Sequence, residues 1–267
     1  MTTRIQEDQE EMVYPESDGK PMADNTLQYE WITTIKGNLD ILFRDDPNVF
    51  VAGDLFWYPV RGRKDVVAAP DVMVAFGRPA GHRRSYRQWR EDDVAPQVVF
   101  EILSPSNRQE AMEQKLEFYD QHGVEEYYIY DPDTGELFGW RRFEGRLRAL
   151  DAIDGWISPR LGVRFDLSAA DMVIYRPDGQ RFLTILELDQ ERQEAVRRAE
   201  EEHRRAEEAK RQADKERRRA NETERQAEEE RRRADEERRE KEQATARAER
   251  LAALLRALGV DPDKPPE

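Results

Sequence analysis

A mixed α/β (α+β) sheet flanked by helices, continued by a long charged helix or coiled coil, is the architecture that the sequence predicts. Three observations carry it. The five Trp, nine Tyr and ten Phe among the 267 residues all precede residue 185, so the material for a core lies there. An apolar run at 98–103, a helical pattern at 107–122 and a second run at 124–131 form a strand–helix–strand unit, which closes as a right-handed parallel crossover. From residue 199 alanine recurs at 199, 206, 213, 220, 227 and 234, a seven-residue interval set in blocks of Arg and Glu.

The elements follow in order. Residues 1–24 are polar, with Pro15, Gly19 and Pro21, and read as a flexible arm. Leu27, Trp31, Ile35, Leu39 and Leu42 then share one helical face, with Asp24 or Asn25 as the cap and Asp45-Asp46-Pro47-Asn48 as the stop. Runs rich in Val, Phe and Tyr at 49–58, 66–76 and 98–103 predict strands, divided by turn-rich stretches such as Arg61-Gly62-Arg63. Asn107 suits the N-cap of the next helix, Glu110 stands where a capping side chain belongs, and Gly123 ends it. Val124–Asp131 and Glu136–Phe143 flank Pro132-Asp133-Thr134-Gly135 as a hairpin. Shorter strands are expected near 147–150, 163–167 and 172–175, and an antiparallel meander accounts for the rest. The domain so defined spans 25–183.

The segment 184–258 is charged almost throughout. Glu and Arg three and four positions apart each support a helix by about 0.2–0.5 kcal/mol. Fully helical, it would extend on the order of 110 Å at about 1.5 Å per residue. The alanine repeat offers one seam position per heptad, but Glu202, Glu216 and Thr223 fall at the other, so burial would be thin. A single solvated helix and a paired one both fit. Leu251, Leu254, Leu255 and Leu258 favour pairing, or a fold-back onto the same chain. Residues 259–267, after the Gly259 stop, are expected to be disordered.

Charged residues make up 38% of the chain, well above the roughly 25% of a globular protein, which agrees with a non-globular part. A formal charge of −14 argues against binding nucleic acid through net charge and leaves a local basic groove open. The chain has no Cys, as suits a reducing compartment, and no run of about 18 apolar residues that would span a membrane. Met1–Met12 is polar and acidic, unlike a secretory signal. The expected location is cytoplasmic.

Chemistry concentrates in three residues. Glu101 stands in Gln97-Val98-Val99-Phe100-Glu101-Ile102-Leu103-Ser104, one carboxylate among large apolar neighbours in a central strand. Burying it is costly unless a cation or hydrogen-bond donors meet it. Asp71, in Ala69-Pro70-Asp71-Val72-Met73-Val74, is a second acid at a strand end. Lys115 lies beside the inward face formed by Met112, Leu116 and Tyr119, on the helix that directly follows the Glu101 strand. Its stem can lie on apolar surface while its ammonium reaches the acids. Two carboxylates and a lysine could hold Mg²⁺ or Mn²⁺ and orient an attacking water, as phosphodiester hydrolysis requires. Without Cys, and with only three His, zinc is not expected. The alternative for the same residues is a buried Glu–Lys pair that fixes strand and helix in register.

Pro70-Asp71, the run Val98–Ser104 with Pro105-Ser106-Asn107, then Lys115, Tyr119, Gly123 and Tyr127–Pro132 together resemble the bacterial putative restriction endonuclease family, a branch of the PD-(D/E)xK nuclease superfamily. The likeness covers roughly residues 25–180 and implies a restriction-endonuclease-like fold. It also implies Asp71 and Glu101 as metal ligands, the main-chain carbonyl of Ile102 as a third, and Lys115 as the catalytic lysine. The chain departs from the pattern at Leu103, where the superfamily lysine usually stands, and at Ala111, where many members of this branch carry Asp. Nucleases of this type often place another acid on the first helix, a role open to Glu30, and Asp54 is a further candidate. Both also suit surface or capping roles.

Arg78, Arg83, Arg84, Arg87 and Arg90, interleaved with His82, Tyr86 and Trp89, could present a positive surface to a phosphate backbone. Neutralisation by Glu91, Asp92 and Asp93 would make the same segment an ordinary solvated loop. The expected function is metal-dependent DNA endonuclease activity, related to restriction or defence. The alternative is a nuclease-fold module without catalysis that binds or oligomerises through its helix. The expected partners are DNA and a second copy of the chain, through the globular domain, the helix or both, and no membrane.

Overall fold

The computed structural model describes residues 14–17, 19, 23–104 and 109–258, with only the backbone of 109–111. It divides into a globular unit that ends at Glu191 and a second unit that begins at Arg192. The globular unit is a six-stranded sheet with strand order β1-β3-β5-β6-β7-β8. These strands are β1 (Val49–Gly53), β3 (Val72–Phe76), β5 (Val98–Ile102), β6 (Glu126–Asp131), β7 (Glu136–Phe143) and β8 (Arg146–Ala149). Helix α1 (Thr26–Leu42) precedes the sheet, and α2 (Gln109–Gln121) links β5 to β6. That crossover makes β5 and β6 parallel, while β1·β3, β3·β5, β6·β7 and β7·β8 are antiparallel.

Strand alternation sorts the core into two layers. Val72, Val74, Val98, Phe100 and Tyr128 pack with Ile32, Ile35 and Leu39 of α1. Met73, Ala75, Val99, Tyr127 and Ile129 face the other way, onto Met112 and Tyr119 of α2. Because successive side chains in a strand point to opposite faces, Asp71 and Glu101 fall on the α2 side with the second set. The face that carries the acids is therefore legible from the alternation alone.

Local signals work as expected at several points. Asn25 caps α1, its side chain accepting from the N–H of Gln28 at 2.8 Å. Past the end of α2 the chain turns at Gly123, whose φ of +93° is open to glycine but strained for other residues. The Asn107 and Glu110 capping expected for α2 lies outside the described residues.

Elsewhere tertiary packing redraws the boundaries. The run 49–58 breaks into β1 and a two-residue strand β2 (Trp57–Tyr58), with Asp54 between them at a φ of +48°. Strand β2 pairs in parallel with β4 (Tyr86–Arg87), apart from the main sheet. The run 66–76 yields only β3, and Ala68 makes an isolated bridge to Trp57. The last two strands, β9 (Arg164–Asp166) and β10 (Val173–Tyr175), form their own antiparallel pair instead of extending the meander. Nor is the whole of 1–24 a loose arm. Tyr14 is buried against Tyr58 and Trp89, its hydroxyl accepts from the N–H of Gly62 at 2.7 Å, and Tyr58 donates to the Pro15 carbonyl at 2.7 Å.

Helix α3 (Ile185–Ala257) opens with a reciprocal capping box. Thr184 N–H donates to Glu187 Oε2 at 2.9 Å, and Glu187 N–H donates to Thr184 Oγ1 at 3.3 Å. Just before it, Asn38 of α1 accepts from the Leu183 N–H at 3.1 Å and donates to the Leu183 carbonyl at 2.7 Å. No side chain of α3 is buried among the described residues. Pairs four residues apart run along it, such as Arg205 with Glu201 and Lys241 with Glu237, both at 2.7 Å. Among the described residues no helix is long and apolar enough to cross a membrane. Residues 259–267, expected to be disordered, lie outside the described residues.

Candidate active site

The β3·β5 ladder ends at Val72 opposite Phe100. Beyond it the Pro70 carbonyl accepts from the Asp54 N–H at 3.1 Å, and the Ile102 N–H takes a side-chain acceptor in place of a ladder carbonyl. Asp71 supplies one, its Oδ2 accepting that N–H at 2.6 Å. Glu101 is 1% exposed, and both of its oxygens are met by donors from α2. Lys115 Nζ donates to Oε2 at 2.6 Å and the Tyr119 hydroxyl to Oε1 at 2.5 Å. Lys115 and Tyr119 stand four positions apart and so share one helical face. The structure thus puts Glu101 and Lys115 in contact and sets Asp71 close enough to feel both charges.

Electrostatics ties them further. Burial pushes the Asp71 carboxyl well above the usual carboxylate range, and the neighbouring Glu101 adds to it. The Ile102 N–H and Lys115 pull it back only in part. Burial works to lower the Lys115 ammonium, but attraction to Glu101, its hydrogen bond and the more distant Asp71 and Asp54 outweigh that, and the net shift is upward. The Tyr119 hydroxyl is held well above its ordinary value by burial and then by Glu101, so it stays a proton donor.

Sequence reasoning left two residues of this site without a settled role. Tyr119 stands on the inward face, yet its hydroxyl is also the second donor to Glu101, a role signalled by its spacing from Lys115. Asp54 was open between a site acid and a surface acid. Its N–H donates to the carbonyls of Pro70 at 3.1 Å and Asp71 at 3.3 Å, and its charge acts on both Asp71 and Lys115. A Cβ on the preceding Gly53 would stand 3.4 Å from the Asp71 carbonyl oxygen, a tight but ordinary contact that marks how closely the two segments approach.

Two readings that the sequence left open resolve away from the site. Glu30 is exposed on α1, which covers the opposite face of the sheet, and it lines a hollow with Trp31, Asp171 and Arg181 instead. The arginine segment is largely neutralised by its own acids. Arg78 pairs with Asp92 at 2.5 Å, and Arg83 pairs with Glu91 at 2.7 Å while lying 3.9 Å over the Phe50 ring. Arg84, 3.5 Å from Glu16, joins Arg87 and Arg90 around a small surface hollow.

The donor set fits a hard divalent cation in chemistry more than in number. It offers carboxylate and carbonyl oxygen with no thiolate or imidazole, the preference of Mg²⁺ or Mn²⁺. Fully ionised, Asp54, Asp71, Glu101 and Lys115 sum to −2, which one dication would balance. Among the described residues, however, no three acids or histidines gather at metal-holding distance. The Ile102 carbonyl already accepts from Gln28 Nε2 at 2.9 Å, so one lone pair remains to it.

The sequence pattern of a family described as "Putative restriction endonuclease" matches residues 17–172, a span that holds Asp54, Asp71, Glu101, Lys115 and Tyr119. A crystal structure described as a putative nuclease from Anabaena variabilis is similar at 17% sequence identity and a TM-score of 0.39, over 52% of this chain and 74% of that one. No curated protein matches the chain.

Proposed function

Since the chain belongs to the family described as putative restriction endonuclease, we propose that its globular unit is a divalent-metal-dependent endonuclease that hydrolyses phosphodiester bonds in DNA. One observation carries the reading: two carboxylates, Asp71 and Glu101, share a poorly solvated place with a single lysine. A purely structural pair needs only Glu101 and Lys115. The second acid adds repulsion that folding alone does not require.

In this reading Mg²⁺ or Mn²⁺ is held by Asp71 and Glu101, with the free lone pair of the Ile102 carbonyl as a third oxygen. When bound, it polarises the phosphoryl oxygen and makes a bound water a better nucleophile. The protein's own groups set the geometry. The Ile102 N–H fixes the Asp71 rotamer, and the Tyr119 hydroxyl holds Glu101 from one side. Lys115, a cation at the site, stabilises negative charge that develops on the phosphoryl oxygens as water attacks phosphorus and the bond to the leaving sugar oxygen breaks. A role in restriction or defence against foreign DNA belongs to the same reading.

A second reading rests on how completely Glu101 is already satisfied. With Lys115 on one oxygen and Tyr119 on the other, the group is also a finished ion pair with a buried carboxylate and a partly buried lysine, and the unit would then be a nuclease-fold scaffold. Glu101→Gln, Asp71→Asn and Lys115→Ala separate the two. Catalysis expects plasmid cleavage only with Mg²⁺ or Mn²⁺, lost on the order of a hundredfold or more in each variant, and a parent melting temperature that rises with Mn²⁺. No cleavage, no Mn²⁺ effect and a stability loss of about 3–5 kcal/mol in Lys115→Ala would establish the scaffold instead. Single-stranded RNA run in parallel tests the assignment to DNA.

A further inference from the structure

Helix α3 keeps one heptad register from end to end. The alanine positions 199–234 continue backwards to Arg192 and Ile185, and forwards to Lys241, Ala248 and Leu255. Three residues after each comes the second seam position, from Leu188 and Ala195 to Leu251 and Leu258. The seam is apolar at both ends, and Ile185, Leu251 and Leu258 are all exposed within the single chain. In between it is Ala on one side and mostly acidic on the other. Such a seam covers itself best with another helix, and its charges decide which way that helix runs.

In a parallel, in-register pair every seam residue meets its own copy. Glu202, Glu216, Glu230 and Glu237 would then each face Glu, while Arg192 would face Arg and Lys241 would face Lys. Every one of these layers is repulsive. In an antiparallel pair the first seam position of one helix meets the second of the other. With the two helices fully overlapped, Ile185 meets Leu258, Leu188 meets Leu255, Ala209 meets Ala234 and Lys241 meets Glu202. The other acids fall on alanines, so no layer carries like charges. Sliding by one heptad moves Lys241 onto Ala195 and takes Leu255 off Leu188. The flanking positions do not discriminate, because Arg217, Arg219, Arg231 and Arg233 make them largely basic in either direction.

We infer that α3 is an interaction surface for a second copy of this chain, paired antiparallel along its full length with Lys241 set against the partner's Glu202. The pairing joins apolar end to apolar end and uses the only basic residue in the second half of the first seam position. It stands independently of the nuclease reading.

The absence of Cys makes the geometry directly testable in the full chain. Within one helix residues 209 and 234 lie roughly 37 Å apart, at about 1.5 Å per residue, too far for an intrachain disulfide. Mixing A209C protein with A234C protein under mild oxidation should give a cross-linked heterodimer, and A234C alone should give none. In sedimentation K241E should weaken the dimer about tenfold, since each dimer holds two such layers, and E202K added to K241E should restore it. Cross-linking of A234C with itself would show a parallel pair and overturn the proposal. So would a monomeric mass for the parent and every variant at all concentrations.

Discussion

Trp57 and Arg205 show how differently the two units of this chain are held. Trp57 is fully buried, and its neighbours Gln88, Tyr119 and His122 come from distant parts of the sequence. Arg205 is exposed, and its recorded partner, Glu201, stands four positions back on the same helix. The globular unit gains stability from non-local burial, at roughly 25 cal/mol per Å² of apolar surface removed from water. Helix α3 gains it from propensity and local pairs worth a few tenths of a kcal/mol each. A chain can therefore combine a unit that a single substitution can unfold with one that tolerates most substitutions. Chemistry that needs a fixed, desolvated geometry belongs in the first, and a long repetitive surface belongs in the second.

The contrast should be plainest in a pair of matched truncations. Trp57→Ala empties a ring-sized space against Phe118 and Tyr119 and should cost about 3–5 kcal/mol in denaturant unfolding. Arg232→Ala, on the exposed side of α3, should change stability by less than about 0.5 kcal/mol. Equal effects would mean that α3 belongs to the same cooperative unit as the core.

Asn38 tests the seam between non-local and local construction. Asn38→Ala leaves the buried N–H and carbonyl of Leu183 without their recorded partners, and should cost about 2–3 kcal/mol. The helical content of α3, capped by its own Thr184 and Glu187, should not change in circular dichroism. A loss of α3 helix together with the core would show that the capping box is not enough to start it.

The site acid gives a pH-dependent version of the comparison. Because the folded-state pKa of Asp71 is raised, the protonated form favours folding, and that contribution is lost as pH rises through the folded value. Asp71→Asn keeps an acceptor for the Ile102 N–H without the charge. It should melt higher than the parent at neutral pH without metal, and the gain should vanish as pH falls below the ordinary aspartate range. A variant less stable than the parent at neutral pH would mean that the Asp71 charge is held favourably.

The smallest effects should come from the helix. A chain ending at Glu191 keeps the capping box and the Asn38 tie, and its globular unit should melt at an unchanged midpoint. A fall of several degrees would show that the core draws on residues past 191. Raising salt to 1 M shortens the screening length to about 3 Å and should lower α3 helicity only slightly, pair by pair.

Much of this molecule could be read without coordinates, where the controlling interactions are local or strictly periodic. The alternation around Phe100, the spacing of Leu27, Trp31, Ile35 and Leu39, the Asn25 cap and the alanine repeat each depend on residues a few positions apart. They predict the two-part architecture and the parallel β5–α2–β6 crossover. The grouping of Asp71, Glu101 and Lys115 was legible for a related reason, since a lone carboxylate in an apolar strand demands a partner and the next helix carries one.

Tertiary structure decided what no window of sequence contains. The docking of Tyr14 depends on a hydroxyl acceptor for Gly62, 48 positions away. Asp54 reached the site because β1 breaks beside the end of β3, whereas Glu30 was excluded because α1 covers the other face. For the arginine segment the sequence left two readings open, and the folded loop chose between them by bringing Arg78 to Asp92 and Arg83 to Glu91. Local periodicity can be counted along a chain, but the partner of a buried or charged group is set by whatever the fold carries to within about 3 Å of it.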